Sequence, residues 1–160
     1  MFSSKAGTGC KSFFEQEIEL IKVFMKGFEV MLRILIVDDD PGMLFLMNEY
    51  MTAYGFQPVC ANSAAQARNR LKYSKFDLII SDFNMPGESG LDLFRYVLCR
   101  YPEVPFILMT GCSDTRIKRE ALKMGVYRYL EKPFQFSELM KIISNQRPSN
   151  SRSAFSAPAA

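Results

Sequence analysis

Short apolar runs alternate five times with longer amphipathic segments along the chain, starting near Leu32. The apolar runs have the length and the bounding residues of buried strands, which we predict at residues 32–37, 56–60, 76–81, 104–109 and 126–130. The segments that follow them predict helices at residues 41–54, 64–73, 91–101, 114–124 and 137–144. This alternation indicates an α/β domain in which a five-stranded parallel sheet carries helices on both faces.

Two of the predicted helices begin with capping residues. Asp40 stands before Pro41, which makes it an N-cap acid followed by a proline at the first helical position, where the missing N–H is not needed. Ser63 and Gln66 have the spacing of a capping box, in which each side chain bonds the backbone N–H of the other residue. Because these signals do not depend on hydrophobicity, they support the helices independently.

The predicted domain spans residues 31–145, and the segments on either side of it differ in character. An apolar stripe at helical spacing runs through the N-terminal extension, residues 1–30, and consists of Phe14, Ile18, Ile21, Met25 and Phe28. We interpret this extension either as an amphipathic helix for dimerisation or docking, or as a translated leader ahead of a start at Met31. Residues 146–160 are rich in Ser, Pro and Ala, which predicts a disordered tail.

Composition narrows the classes of function. The chain has 20 Lys and Arg against 17 Asp and Glu, and this excess is too small to indicate a nucleic-acid-binding protein by itself. The four cysteines lack metal-site spacing, and no apolar run approaches the ~20 residues that span a bilayer, so we expect a cytoplasmic protein with no membrane partner. The absence of histidine excludes Ser-His-Asp catalysis and histidine metal sites.

Carboxylates follow two of the predicted strands, at the edge where ligands bind an open parallel sheet. Asp38 and Asp39 come directly after the first strand, and Asp82 comes directly after the third. If these strands are neighbours, three like charges meet in one pocket, where a hard divalent cation would relieve their repulsion. We therefore predict a Mg²⁺ site to which Asp39 and Asp82 bind directly and Asp38 binds through water.

The fourth and fifth strands are followed by groups of a different kind, the hydroxyl of Thr110 and the ammonium of Lys132. Together with the acids they suit phosphoryl transfer to a carboxylate, because that reaction needs positioning and cationic stabilisation of the transferred oxygens. Asp82 is the predicted nucleophile, Lys132 the group that holds the phosphoryl oxygens, and Thr110 a hydrogen-bond donor to them.

Four separated motifs, ILIVDDDP, DLIISDFNMPGESG, ILMTG and YLEKPF, resemble in order and spacing those of bacterial two-component response-regulator receiver domains. The resemblance covers residues 31–145 and implies a flavodoxin-like (βα)5 fold with strand order 2-1-3-4-5. It further implies that Asp82 takes phosphate from a sensor histidine kinase or a histidine phosphotransfer protein and becomes an aspartyl phosphate. Asp38 and Asp39 correspond to the family's acid pair, and Asn84 to the residue whose backbone carbonyl binds Mg²⁺.

The resemblance also implies a switch. Thr110 would move toward the phosphoryl group while Tyr129 turns inward, which remodels the face made by the fourth helix, the fifth strand and the fifth helix. That face, or the N-terminal extension, could join two copies into a dimer or bind a downstream protein. Lys132 and Pro133 match a lysine-proline pair in which a cis bond aims the lysine. Cys112 would line the rim of the pocket.

Two other functions compete with a stand-alone receiver that is a phosphoacceptor and not an enzyme acting on small molecules. A magnesium-dependent phosphatase on a similar sheet needs a second acid close behind the nucleophile and a substrate cap, and the sequence offers neither. A DNA-binding transcription factor needs an effector domain, for which the residues after Ser144 are too few, so this alternative requires a longer protein. We therefore expect protein partners and no DNA.

Overall fold

The structure, a computed structural model, describes residues 31–111 and 115–145. The predictions for residues 1–30, for residues 146–160 and for Cys112 lie outside this part of the chain. Five strands are present in it: β1 Arg33–Val37, β2 Gln57–Ala61, β3 Leu78–Asp82, β4 Phe106–Thr110 and β5 Arg128–Glu131. Five helices alternate with them: α1 Pro41–Ala53, α2 Ala64–Tyr73, α3 Gly90–Arg100, α4 Thr115–Lys123 and α5 Phe136–Ser144.

The strands form one parallel sheet in the order β2-β1-β3-β4-β5. The predicted fold class and the strand order implied by the resemblance are therefore confirmed. Val37 of β1 lies opposite Ser81 of β3, so the residues that follow these two strands emerge side by side. This adjacency is what places acids that are distant in sequence at one edge of the sheet.

Apolar side chains cover both faces of the sheet because successive strand residues point to opposite sides. In β1, Leu35 and Val37 join a cluster with side chains from α2, α3 and α4, while Ile34 and Ile36 join a second cluster with side chains from α1 and α5. The helices therefore lie in two layers around a buried sheet. Among the described helices, none is both long and apolar enough to cross a membrane.

The strands that carry the site run further than predicted. Asp82 and Thr110 are the last residues of β3 and β4, whereas the sequence placed both just beyond their strands. The reason is the sheet itself: Asp82 lies opposite Met109, and the Phe83 N–H donates to the Met109 carbonyl at 2.7 Å. Pairing with β4 thus holds the predicted nucleophile in regular strand backbone.

Helix starts show one confirmed cap, one altered cap and one that the sequence prediction missed. The Asp40 carboxylate accepts from the Gly42 N–H at 2.8 Å, as the N-cap assignment requires. Ser63 caps α2, but the Gln66 side chain accepts from the N–H of Asn62, one residue before the predicted partner. The helix α3 begins at Gly90 behind a capping box, described below, whereas the prediction began it at Leu91.

Candidate functional site

The carboxyl edge of the sheet holds a small set of buried polar side chains among strands that are otherwise apolar. Asp38 is 2% exposed, Asp82 5% and Thr110 0%. Asp38 follows β1, and the other two end β3 and β4, so three neighbouring strands supply them. Buried polar groups of this kind need partners, and their partners define the chemistry of the site.

Lys132 joins the two buried acids. Its Nζ atom lies 2.9 Å from Asp38 Oδ2 and 2.6 Å from Asp82 Oδ1. The lysine backbone is held as well, because its N–H donates to the Thr110 carbonyl at 2.7 Å and the Lys132–Pro133 bond is cis, as predicted. The ammonium group therefore faces the end of β3 from the segment that follows β5.

Each buried carboxylate has its second oxygen bonded to backbone. Asp82 Oδ2 accepts from the Asn84 N–H at 2.7 Å, and Asp38 Oδ1 accepts from the Asp40 N–H at 2.9 Å. The hydroxyl of Ser81, which is also fully buried, donates to the Asp82 carbonyl at 3.0 Å. The orientation of the predicted nucleophile is thus set by a lysine on one oxygen and a backbone amide on the other.

The electrostatics of the site are dominated by burial. Burial raises the pKa of Asp82, and the hydrogen bond and charge of Lys132 only partly offset this. For Lys132, burial alone would lower the pKa, but hydrogen bonds to Asp82 and Asp38 outweigh it and raise the pKa. The structure therefore holds a desolvated carboxylate beside an ammonium group that stays charged. This arrangement suits a carboxylate that attacks phosphorus as a nucleophile.

Two of the three predicted carboxylates meet. Asp38 and Asp82 share Lys132, whereas Asp39 is exposed. Within residues 31–111 and 115–145, no three His, Cys, Asp or Glu side chains are grouped so as to hold a metal ion. The expected pocket with three converging carboxylates is therefore corrected to two, because the Asp39 side chain is exposed and does not join the buried pair. The assignment of Asp38, Asp39, Asp82 and Asn84 as metal ligands stays a prediction.

The predicted switch residues lie on β4 and β5. Thr110 is buried at the tip of β4 and lies opposite Glu131, the last residue of β5, which Lys132 follows. Tyr129 is half-buried on β5, and the Nζ atom of Lys118 on α4 lies 5.4 Å from the centre of its ring. Tyr129 is therefore in contact with the helix whose movement the resemblance implies.

The loop after Asp82 contains features that the sequence analysis missed. A Cβ atom added at Gly90 would lie 2.1 Å from the Asp82 carbonyl oxygen, so only glycine lets α3 start this close to the end of β3. Ser89 caps α3 by a reciprocal capping box with Asp92, and the Ser89 hydrogen bond lowers the pKa of Asp92. The serine and the acid three residues later form an S-x-x-D pattern that could have revealed this cap.

Comparisons with known proteins agree with this geometry. A family profile described as response regulator receiver domain matches residues 34–144. The chain belongs to the response regulator receiver domain family. Receiver domains are signalling modules of two-component systems that serve as phosphoacceptors, and this membership confirms the resemblance drawn from the four motifs.

Individual relatives extend the comparison. Protein PetR of Rhodobacter capsulatus is 38% identical over 107 residues, covering 67% of this chain and 45% of PetR. Transcriptional regulatory protein GlrR of Escherichia coli is 34% identical over 112 residues, covering 70% of this chain and 25% of GlrR. The chain thus spans less than half the length of these curated relatives.

Two solved structures show the same fold. A response regulator receiver protein from Pseudomonas putida has a TM-score of 0.70 and 28% identity, with 73% of this chain and 98% of that chain covered. Response regulator protein TrrA from Thermotoga maritima, in complex with Mg(2+)-BeF, has a TM-score of 0.65 and 30% identity, with 71% and 97% covered.

Proposed function

We propose that this chain is a phosphorylation-controlled signalling switch in which Asp82 accepts a phosphoryl group. The observation that carries the proposal is the Asp82 carboxylate, buried at the tip of β3 with one oxygen 2.6 Å from Lys132 Nζ. A buried acid held by a single ammonium group and a backbone amide is positioned as a nucleophile. The family membership supports the same conclusion.

In the proposed step, a carboxylate oxygen of Asp82 attacks the phosphorus of a phosphohistidine on a sensor kinase or histidine phosphotransfer protein. The P–N bond breaks, its electron pair stays on the imidazole nitrogen, and an acyl phosphate forms on Asp82. Lys132 then lies next to the new phosphoryl oxygens and neutralises part of their charge, while the Thr110 hydroxyl donates a hydrogen bond to one of them. Hydrolysis of the acyl phosphate by water returns the protein to its starting state.

The residues predicted to hold a magnesium ion offer donor atoms of the kind that this cation prefers. The carboxylates of Asp38, Asp39 and Asp82 and the backbone carbonyl of Asn84 are hard oxygen donors, which this cation prefers. When bound, Mg²⁺ supplies positive charge to the transferred oxygens. The buried position of Asp38 and Asp82 supports the assignment, since these two desolvated carboxylates share the ammonium group of Lys132.

The proposed output is a change on the face formed by α4, β5 and α5. Tyr129 connects the site to this face because it lies opposite Leu108, two residues before Thr110 on β4, and its ring is close to the ammonium of Lys118 on α4. Movement of Thr110 toward the phosphoryl group would open room for the tyrosine ring and shift the population between two packings. A downstream protein, or a second copy of this chain, would read the difference. Dimer formation through this face or through residues 1–30 stays a prediction.

The test is phosphorylation with acetyl phosphate and Mg²⁺, followed by intact mass measurement. Wild type should gain the mass of one phosphoryl group, and Asp82→Asn should gain none. Asp77→Asn is the matched control because Asp77 is an exposed aspartate next to the opposite end of the same strand. EDTA should abolish the gain in wild type. Phosphate on the Asp82→Asn variant, or none on wild type with any donor tried, contradicts the proposal.

A second candidate, the receiver part of a longer transcriptional regulator that binds DNA, is favoured by the similarity to transcriptional regulatory protein GlrR and by the greater length of that protein. In that case the output face would act on a domain of the same polypeptide. Reading the gene to its natural stop codons separates the two candidates. A continuous reading frame that encodes a further domain favours the longer regulator, and stop codons around this chain favour the stand-alone switch.

A further inference from the structure

The helix α4 concentrates positive charge on one side of the domain. Four of its nine residues are Lys or Arg, against the single acid Glu120. Arg116, Arg119 and Lys123 are exposed and recur at helical spacing, and Leu122, which is 48% exposed, lies among them. We name these four residues the α4 basic surface.

The acid on α4 does not cancel this charge. The Arg95 guanidinium on α3 lies 3.3 Å from Glu120 Oε1 and 2.8 Å from Asp92 Oδ1, so Glu120 is paired across the two helices. A groove of about 310 Å³ borders the pair and is lined by Arg116, Arg119, Glu120, Lys123 and Met124. The groove therefore combines three cationic groups with apolar surface from a methionine.

We infer that the α4 basic surface binds an acidic segment of a partner protein, with carboxylates on its cations and an apolar side chain against Leu122. This inference rests on the proposed function in one respect only: the α4 basic surface is taken to be part of the output face. Charge complementarity identifies the chemistry of the partner, because exposed clusters of one sign steer and orient molecules of the other sign.

A protein segment fits this surface better than a nucleic acid does. The helix α4 is only ~13 Å long at the standard rise per residue, too short to follow an extended phosphate backbone. The exposed leucine among the cations matches the mixed polar and apolar character of protein interfaces.

The full chain can be tested with fluorescein-labelled oligoglutamate peptides, one of glutamates alone and one that also contains leucines, by fluorescence anisotropy. Arg119→Glu with Lys123→Glu should weaken binding of both peptides by about tenfold or more, because two attractive contacts become repulsive. Lys72→Glu with Lys75→Glu is the matched control, since these exposed lysines lie in and after α2, at the opposite edge of the sheet. It should change binding by less than about threefold.

Leu122→Ser sharpens the test of a protein-like partner. This substitution should weaken binding of the leucine-containing peptide severalfold and leave binding of the all-glutamate peptide unchanged, because only the leucine-containing peptide uses the apolar contact. Equal weakening by the α2 control overturns the inference, as does tighter binding of a random duplex DNA than of either peptide at physiological salt. Circular dichroism on every variant shows that each one is folded.

The outcome for this surface is separable from that for the phosphorylation site. The Arg119→Glu, Lys123→Glu variant should still gain phosphate from acetyl phosphate, because neither residue lies at the carboxyl edge of the sheet. If wild type binds peptide but gains no phosphate, the switch proposal fails and the surface stands. If it gains phosphate but binds neither peptide, the surface inference fails alone.

Discussion

The interior of the central strands and their carboxyl tips differ sharply in what their buried residues do. In β3, Ile79 and Ile80 are fully buried among apolar side chains, while Asp82 at the tip is almost as buried but ionisable. Burial stabilises the fold at the first two positions, and at the third it raises the pKa of the carboxyl and disfavours its charged form. One strand therefore combines an interior that stabilises the fold by packing with a tip where burial of a reactive carboxyl group lowers stability.

Removing the lysine should have the largest effect at the tips. Lys132→Met leaves Asp38 and Asp82 buried with no ammonium between them, so we expect a loss of about 3–5 kcal/mol in the free energy of unfolding without metal. Phosphorylation by acetyl phosphate should slow about 10²-fold or more, because one donor to the phosphoryl oxygens is lost. Urea unfolding and intact mass time courses measure the two effects.

Lys141→Met is the control for this substitution, since Lys141 is an exposed lysine on α5. It should leave both measurements close to those of wild type. Adding Asp82→Asn to Lys132→Met should recover part of the lost stability, because one of the two unpaired charges is then gone. A Lys132→Met protein as stable as wild type would show that burying Asp38 and Asp82 without the ammonium group does not destabilise the fold.

A change in the strand interior should affect stability and spare the chemistry. Ile80→Ala, two residues before the nucleophile, should lower the free energy of unfolding by about 2–5 kcal/mol, since it leaves a cavity in a fully buried position. Below its melting temperature the variant should still be phosphorylated on Asp82, which mass measurement checks. Loss of phosphorylation in the folded variant would mean that interior and tip are not separable.

Gly90 tests the boundary between the two regions. Gly90→Ala should destabilise the fold by about 1–3 kcal/mol, because its Cβ would overlap the Asp82 carbonyl and force α3 or the tip of β3 to move. Phosphorylation should slow in parallel, unlike the result for Ile80→Ala. Gly111→Ala is the control for stability, as an added Cβ there meets nothing within 4 Å. Unchanged phosphorylation kinetics in Gly90→Ala would show that the start of α3 does not influence the reactivity of Asp82.

The smallest expected effect is a gain in stability on neutralising Asp82. Because its folded-state pKa is raised, the carboxyl favours folding when protonated, and this contribution is lost as pH rises through the raised pKa. In EDTA, Asp82→Asn should therefore unfold at higher urea than wild type near neutral pH. The difference should vanish as pH falls below the ordinary pKa of aspartate. A variant less stable than wild type at neutral pH would show that the Lys132 contact outweighs burial.

Much of the site was readable from local sequence. Asp38, Asp82, Thr110 and Lys132 were singled out because each follows an apolar run, and in a parallel sheet such positions share one edge. The capping box at Ser89 was missed although its pattern is local, because the predicted helix began one residue too late, at Leu91.

Within residues 31–111 and 115–145, local patterns determined the five strands, the five helices and the residue types at the strand ends, since hydrophobic period and capping chemistry act over a few neighbouring residues. Only tertiary structure decided that Lys132 reaches Asp38, 94 residues away, and that it separates two carboxylates while Asp39 stays exposed. It also decided the last residue of β3 and β4, the tight approach of Gly90 and the direction of the Asp82 pKa shift. Each of these depends on which strands are neighbours and on how completely water is excluded, and both are properties of the assembled sheet.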